Sequence, residues 1–245
     1  MLEAGFWGLV AGSALVVGAL LGYLVRVAAG VVAGVMAFGS GVLISAVSFE
    51  LIAEAHERGG IVPTAVGALI GASVYTGANV LLARRGAQHR KRSGGQTSEA
   101  EQAGSGTAIA LGALLDGIPE SIVIGTSLVG GGGVSAVTVA AVFISNVPEG
   151  LSSAAGMRAA GRTRKYVFVL WSGIAVISAL SAVFGYAVAG GLSPAVLAAI
   201  TALAGGAILC MVADTMIPEA FAGTRLWIGL VTVIGFLTAF GLSHA

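Results

Sequence analysis

Long apolar runs alternate with short polar breaks along nearly the whole chain, and the runs are too long and too uniform for the helices of a soluble domain. A bilayer core about 30 Å thick takes roughly 20 apolar residues as a helix. Eight runs reach that length, near residues 5–25, 30–54, 62–83, 106–129, 134–157, 166–189, 194–219 and 224–243. The pattern predicts an all-α, polytopic membrane protein with eight transmembrane helices. One segment breaks it. Residues 84–105, RRGAQHRKRSGGQTSEAEQAGS, are charged, rich in Gly and Ser and without periodicity. They read as a flexible linker between membrane helices 1–3 (residues 1–83) and 4–8 (residues 106–245) of one membrane domain.

Composition agrees with a membrane setting. Of 245 residues, 57% are hydrophobic and 9% charged, against about 25% charged in an ordinary soluble domain. The mean hydropathy is +0.99. The 39 glycines suit close helix–helix approach in lipid. A net charge of +1 gives no reason to expect a nucleic-acid partner. The single Cys210 excludes an intrachain disulfide and reads as apolar filler. The N-terminus has no basic leader, so the first run reads as a retained span.

The basic residues suggest an orientation. All Lys and Arg except Arg58 fall at Arg26, in the third loop, at Arg158–Lys165 or at Arg225, all on one side of an eight-span chain. Short basic loops stay cytoplasmic, so both termini are expected outside, in a cell membrane, with the third loop cytoplasmic. A faint repeat accompanies this. SGVLISAVSFELIAEA from Ser40 matches GGAILCMVADTMIPEA from Gly205, aligning Glu54 with Glu219. Those runs go in opposite directions, the mark of an inverted repeat of spans 1–3 and 6–8 around spans 4 and 5.

The chemistry lies in the acids. Asp116 and Glu120 in the fourth run and Glu149 in the fifth sit near the centres of apolar helices. Each costs about 2.5–3.5 kcal/mol to insert there. No Lys or Arg lies mid-span to neutralise them, so the sequence leaves protonation or a shared exogenous cation. Asp116 and Glu120 are one turn apart on one face. Glu149 lies at matching depth across a short turn at residues 130–133, with Ser145 and Asn146 beside it. Pro119 and Pro148 precede the two glutamates. Neither can donate to the carbonyl four residues back, and such broken helices are tolerated at membrane depth where freed groups find a partner or line a wet cavity. The expectation is kinked helices around an oxygen-lined cation site halfway across the bilayer. Glu50, Glu54, Asp214 and Glu219, nearer the helix ends, are candidates for a pathway to it, with Asp214 the deepest of the four.

The motifs DGIPES (116–121) and SNVPEG (145–150), with FELIAEA and MIPEA, resemble those of the ZIP family of zinc and iron permeases, in a divergent, bacterial-type form. The resemblance covers essentially the whole chain. It implies divalent-metal movement toward the cytoplasm, a metal site between spans four and five, a homodimer, and sliding of spans one, four, five and six against the rest. It carries Glu120, Glu149 and Asn146 over as ligands. Asp116 and Ser145 stand where the family has His, Gly117 where it has Asn, and Val176 where its sixth span carries a glutamate.

Oxygen donors without imidazole or thiolate favour harder divalent metals. The expected cargo is therefore zinc by family, or Mn²⁺ or Fe²⁺ by ligand chemistry, with no resident cofactor. Proton- or monovalent-cation-coupled carriage of another substrate is the alternative. A non-transporting sensor or scaffold derived from a transporter is a third reading. An intramembrane aspartyl protease using Asp116 and Asp214 lacks the expected Gly-x-Gly-Asp context, and no phosphate loop or nucleophile–base pairing points to any other enzyme.

Overall fold

The structure, a computed structural model, describes residues 1–129, 136–223 and 227–244. Among these residues the chain forms eight helices and no strand: α1 (Leu2–Leu24), α2 (Ala29–Gly59), α3 (Ile61–Leu82), α4 (Ser105–Ser127), α5 (Ala136–Ala159), α6 (Arg164–Ala189), α7 (Pro194–Ala222) and α8 (Ile228–Ser243). They fall on the eight apolar runs. Six of them are long and apolar enough to cross a bilayer: α1, α2, α3 with its extension to Ala87, α4, α6 and α7. Helix α8 is shorter, at 16 residues. Helix α5 has 24 residues, its apolar run interrupted by Ser145, Asn146, Pro148 and Glu149. The chain is a helical membrane protein. The turn at 130–133 and Arg225, both used in the sequence reading, lie outside the described residues.

Local chemistry sets several ends. Thr163 and Ser193 cap α6 and α7 by accepting from the backbone N–H three residues on, and Pro194 takes the first helical position of α7. Gly60, at φ 79°, turns the chain from α2 into α3. Large apolar side chains such as Leu69 and Val74 of α3, Leu180 and Phe184 of α6, and Leu237 of α8 point outward, as expected of surfaces that meet hydrocarbon rather than water.

The helices sort into two groups. In one, α1 packs on α5 and α6, and α4 packs on α6; in the other, α3 packs on α7 and α2 on α8. Contacts of α2 with α5 and of α4 with α7 join them. Glycine makes the close approaches. A methyl on Gly18 or Gly150 would strike the backbone of Val147 or Leu15, joining α1 to α5, and one on Gly125 or Gly185 would strike Ala182 or Ile122, joining α4 to α6. Gly41 and Gly235 bring α2 onto α8 in the same way, and Gly206 and Gly71 bring α7 onto α3. Small residues do this work in membrane helices because lipid supplies no hydrophobic drive for association. Helices α2 and α7 also share a π-helical turn, at Val47–Ile52 and Val212–Met216.

The segment between α3 and α4 corrects one premise of the sequence reading. It turns at Arg85 and Gly86, the latter at φ 95°, and then runs back between the helices. Arg90, Lys91 and Gln96 are all buried. The expected linker therefore brings basic side chains into the membrane domain.

Candidate functional site

Asp116 is the twelfth residue of α4, which puts it about 17 Å along the helix axis at 1.5 Å per residue. Its carboxylate is buried and fully engaged. Arg90 donates from Nε to Oδ2 at 3.0 Å and from Nη2 to Oδ1 at 2.9 Å, a two-pronged pairing. The Tyr75 hydroxyl of α3 donates to Oδ1 at 2.6 Å. The remaining reach of Arg90 goes to Asn79 Oδ1 at 2.6 Å and to the Tyr75 hydroxyl at 2.9 Å. This guanidinium is clamped.

Lys91 is held differently. Its Nζ stands 2.8 Å from Glu149 Oε2 on α5 and 3.5 Å from Asp116 Oδ2. The shorter contact is an ion pair at hydrogen-bond distance and the longer a charge contact. Two contacts hold the ammonium, against four hydrogen bonds for the guanidinium. Glu120, one turn along α4 from Asp116, is buried beside this group and interacts electrostatically with Glu149, Lys91 and Asp116. Its Oε1 has no hydrogen-bond partner.

The sequence expectation that no Lys or Arg reaches the acids is thus overturned. The loop supplies both missing charges, and the argument from uncompensated carboxylates falls with it. Among the described residues no three His, Cys, Asp or Glu side chains form a group able to hold a metal ion. The structure brings Asp116 and Glu149 together around Lys91. Ser145 and Asn146 are turned elsewhere: Ser145 Oγ donates to Val142 O at 3.0 Å, and Asn146 Nδ2 donates to Ala11 O of α1 at 3.0 Å. Both serve helix geometry here.

Of the four acids expected along a pathway, Glu219 is buried and Asp214 is exposed. Glu219 Oε1 accepts from the backbone N–H of Ser93 at 2.9 Å and from its hydroxyl at 3.0 Å. Glu54 pairs with Arg58 at 2.5 Å, one turn on. Glu50 is half-buried in the π-helical turn of α2.

Sequence reasoning missed the residues that seat the loop. Ser152 and Ser153 of α5 donate to Lys91 O and Arg90 O, each at 2.6 Å. Gln96 Nε2 reaches Arg90 O at 2.8 Å, Arg92 O at 3.0 Å and Ser153 O at 3.0 Å. Two glycines make the room: a methyl on Gly112 would collide with the Arg90 side chain, and one on Gly156 with Arg92 O and Gln96. The one signal in the sequence was the run Arg90-Lys91-Arg92, in a chain with few charges.

At the outer end of the segment Glu99 forms a second clasp. It accepts from Arg162 Nη1 at 2.7 Å and from the N–H groups of Gly104 and Gly106 at 2.5 and 3.0 Å. The Arg162 hydrogen bond, followed by those two backbone N–H groups, pulls its carboxyl down to about 2. His89 lies in the same segment, and partial burial followed by the charge of Arg92 lowers its imidazole below the ordinary value. Compared with known proteins, the chain matches no family model and no curated sequence.

Proposed function

We propose that this protein is an eight-span membrane transporter of divalent metal cations, built as an inverted repeat, with a cation site that Asp116, Glu120 and Glu149 form only once Lys91 has left them. One observation carries the reading: a single ammonium, Lys91, sits between two buried carboxylates, beside a third carboxylate that has an unbonded oxygen. A buried cluster of three acids around one small, lightly held cation suits exchange with a cargo ion.

The helix packing supports the repeat. Exchanging α1 with α6, α2 with α7, α3 with α8 and α4 with α5 turns each of the eight glycine contacts described above into another of them. Gly41 on Thr232 becomes Gly206 on Ala68, and Gly18 on Val147 becomes Gly185 on Ile122. The π-helical turns of α2 and α7 coincide under the same exchange. The grouping of α1, α4, α5 and α6 apart from the rest supports the resemblance to ZIP permeases and their sliding bundle. The motifs align Asp116 with Ser145, 29 residues apart, whereas the glycine contacts align Gly125 with Gly150, 25 apart. That one-turn offset sets the two proline–glutamate pairs at different registers of the repeat. Both termini outside and a cytoplasmic third loop follow from the basic residues.

A second reading is proton- or monovalent-cation-coupled carriage of another substrate, favoured by the fact that the present occupant, Lys91, carries one charge. Uptake of Zn²⁺, Mn²⁺, Fe²⁺, Mg²⁺ and Cd²⁺ into liposomes, alone and in competition, tests the main proposal. Glu149→Gln and Glu120→Gln should abolish uptake while eluting as monodisperse protein. Normal uptake by both variants, or none of the five ions entering with the wild type, overturns it; proton flux without metal uptake selects the second reading.

A further inference from the structure

Residues 88–104 carry two cations into the centre of the domain, and the two are held unequally. Arg90 makes four hydrogen bonds to Asp116, Tyr75 and Asn79. Lys91 makes two ion pairs, at 2.8 Å to Glu149 and 3.5 Å to Asp116. The groove that receives the segment is polar. Ser152, Ser153, Asp116, Glu149 and Glu219 line it, and each holds the segment by a hydrogen bond or an ion pair. Such a groove could not face hydrocarbon if the segment left, but it could take water, because each of these groups is satisfied as well by solvent. The segment is bracketed by Gly86 and Gly104, at φ 95° and 83°. At both joints the backbone already occupies a region open to glycine and strained for other residues.

We infer that residues 88–104 form a removable plug, in which the Lys91 ammonium occupies the place a transported divalent cation takes and must withdraw before that cation can bind between Asp116, Glu120 and Glu149. This rests on the transport reading and adds its regulation: the protein's own tethered cation competes with the cargo. Withdrawal uncovers Glu149 and the outer oxygen of Asp116 at once, next to the unbonded oxygen of Glu120. The competition is intramolecular, so it needs no second ligand, and the effective concentration of the tethered lysine is set by the loop. Glu219 holds the plug at Ser93 without touching the site, so the plug can be weakened while the three carboxylates remain.

The test uses full-length protein in detergent and in liposomes, with Mn²⁺ as the probe. Gly156→Val evicts the segment sterically and leaves every acid in place. Lys91→Met removes the charge and keeps the volume, so the question stays answerable if the glycine variant does not fold. Both should tighten Mn²⁺ binding, by about tenfold if the plug is seated nine-tenths of the time, since apparent affinity scales with the competent fraction. In the wild type, Mn²⁺ should speed tryptic cleavage after Lys91 and Arg92, read by mass spectrometry. Wild-type uptake with no tightening in either folded variant overturns the plug and leaves the transport reading standing. No Mn²⁺ binding by the wild type or by either variant overturns both.

Discussion

The ends of α2 and α7 carry nearly the same sequence, LIAEA and MIPEA, each following a π-helical turn. Their glutamates have different fates. Glu54 lies at a partly exposed helix end and pairs with Arg58 one turn on. Glu219 is buried and holds Ser93 of the segment between α3 and α4. One turn beyond Glu219 the sequence has Gly223, where Arg58 stands one turn beyond Glu54. Local sequence sets the backbone in both places. The chemical role is set by what another part of the chain brings alongside. One end is a surface ion pair; the other is an anchor for the loop that fills the acid site.

The largest effect expected lies deepest in that loop. Arg90→Ala leaves Asp116 buried with its two-pronged partner gone. Breaking a buried pair by removing one side costs about 3–5 kcal/mol, and thermal unfolding in detergent reads it. Arg90→Lys should recover only part of the loss, because an ammonium cannot reproduce the two parallel bonds or the reach to Asn79. Full recovery by lysine would show that the charge of Arg90 matters and its two-pronged geometry does not.

The comparison of the two glutamates is sharpened by removing each. Glu219→Ala deletes the two hydrogen bonds from Ser93 and a third from the Ser152 hydroxyl to a buried carboxylate, and bonds to charged groups contribute about 1.5–3 kcal/mol. Glu54→Ala deletes a partly exposed i,i+4 pair, for which about 0.3–0.5 kcal/mol is usual. The Glu219 variant should also expose the bonds after Lys91 and Arg92 to trypsin, and the Glu54 variant should not. Equal losses in the two variants would mean that the anchor contributes nothing beyond a surface contact.

The helices were legible because length and apolarity decide them: a helix lies on each of the eight runs, and six are long and apolar enough to cross a bilayer. The buried acids were legible because a charge in a hydrocarbon run stands out. Their partners were not. Arg90 and Lys91 sit in a segment whose composition is that of a solvated linker, and its burial depends on Gly112, Gly156, Ser152 and Ser153. In a chain with 39 glycines, two that make room for a loop look like any others that let helices touch. Ser145 and Asn146 misled for a related reason. A hydroxyl or amide in an apolar helix can bond a nearby carbonyl as readily as an ion, and here Val142 and Ala11 supply the carbonyls.

The smallest effect expected is at the outer clasp, where the sign is set by the depressed carboxyl of Glu99. A carboxyl held at about 2 instead of its ordinary 4.5 stabilises the folded segment above the ordinary value, and that contribution fades as pH falls from there through about 2. Glu99 is exposed, so salt should weaken the clasp as well. Hydrogen exchange at the Gly104 and Gly106 amides, which donate to this carboxylate, reads the effect directly. Protection, corrected for the intrinsic rate at each pH, should be flat through neutral pH and decline only on the acid side. Glu99→Gln should lose that decline, because nothing is left to titrate. Its tryptic pattern at Lys91 and Arg92 should stay close to wild type, since Glu219, Ser152, Ser153 and Gln96 still hold the inner part of the segment. Cleavage there as fast as in Glu219→Ala would make the exposed clasp the main anchor of the loop and reverse the contrast between surface and buried acids.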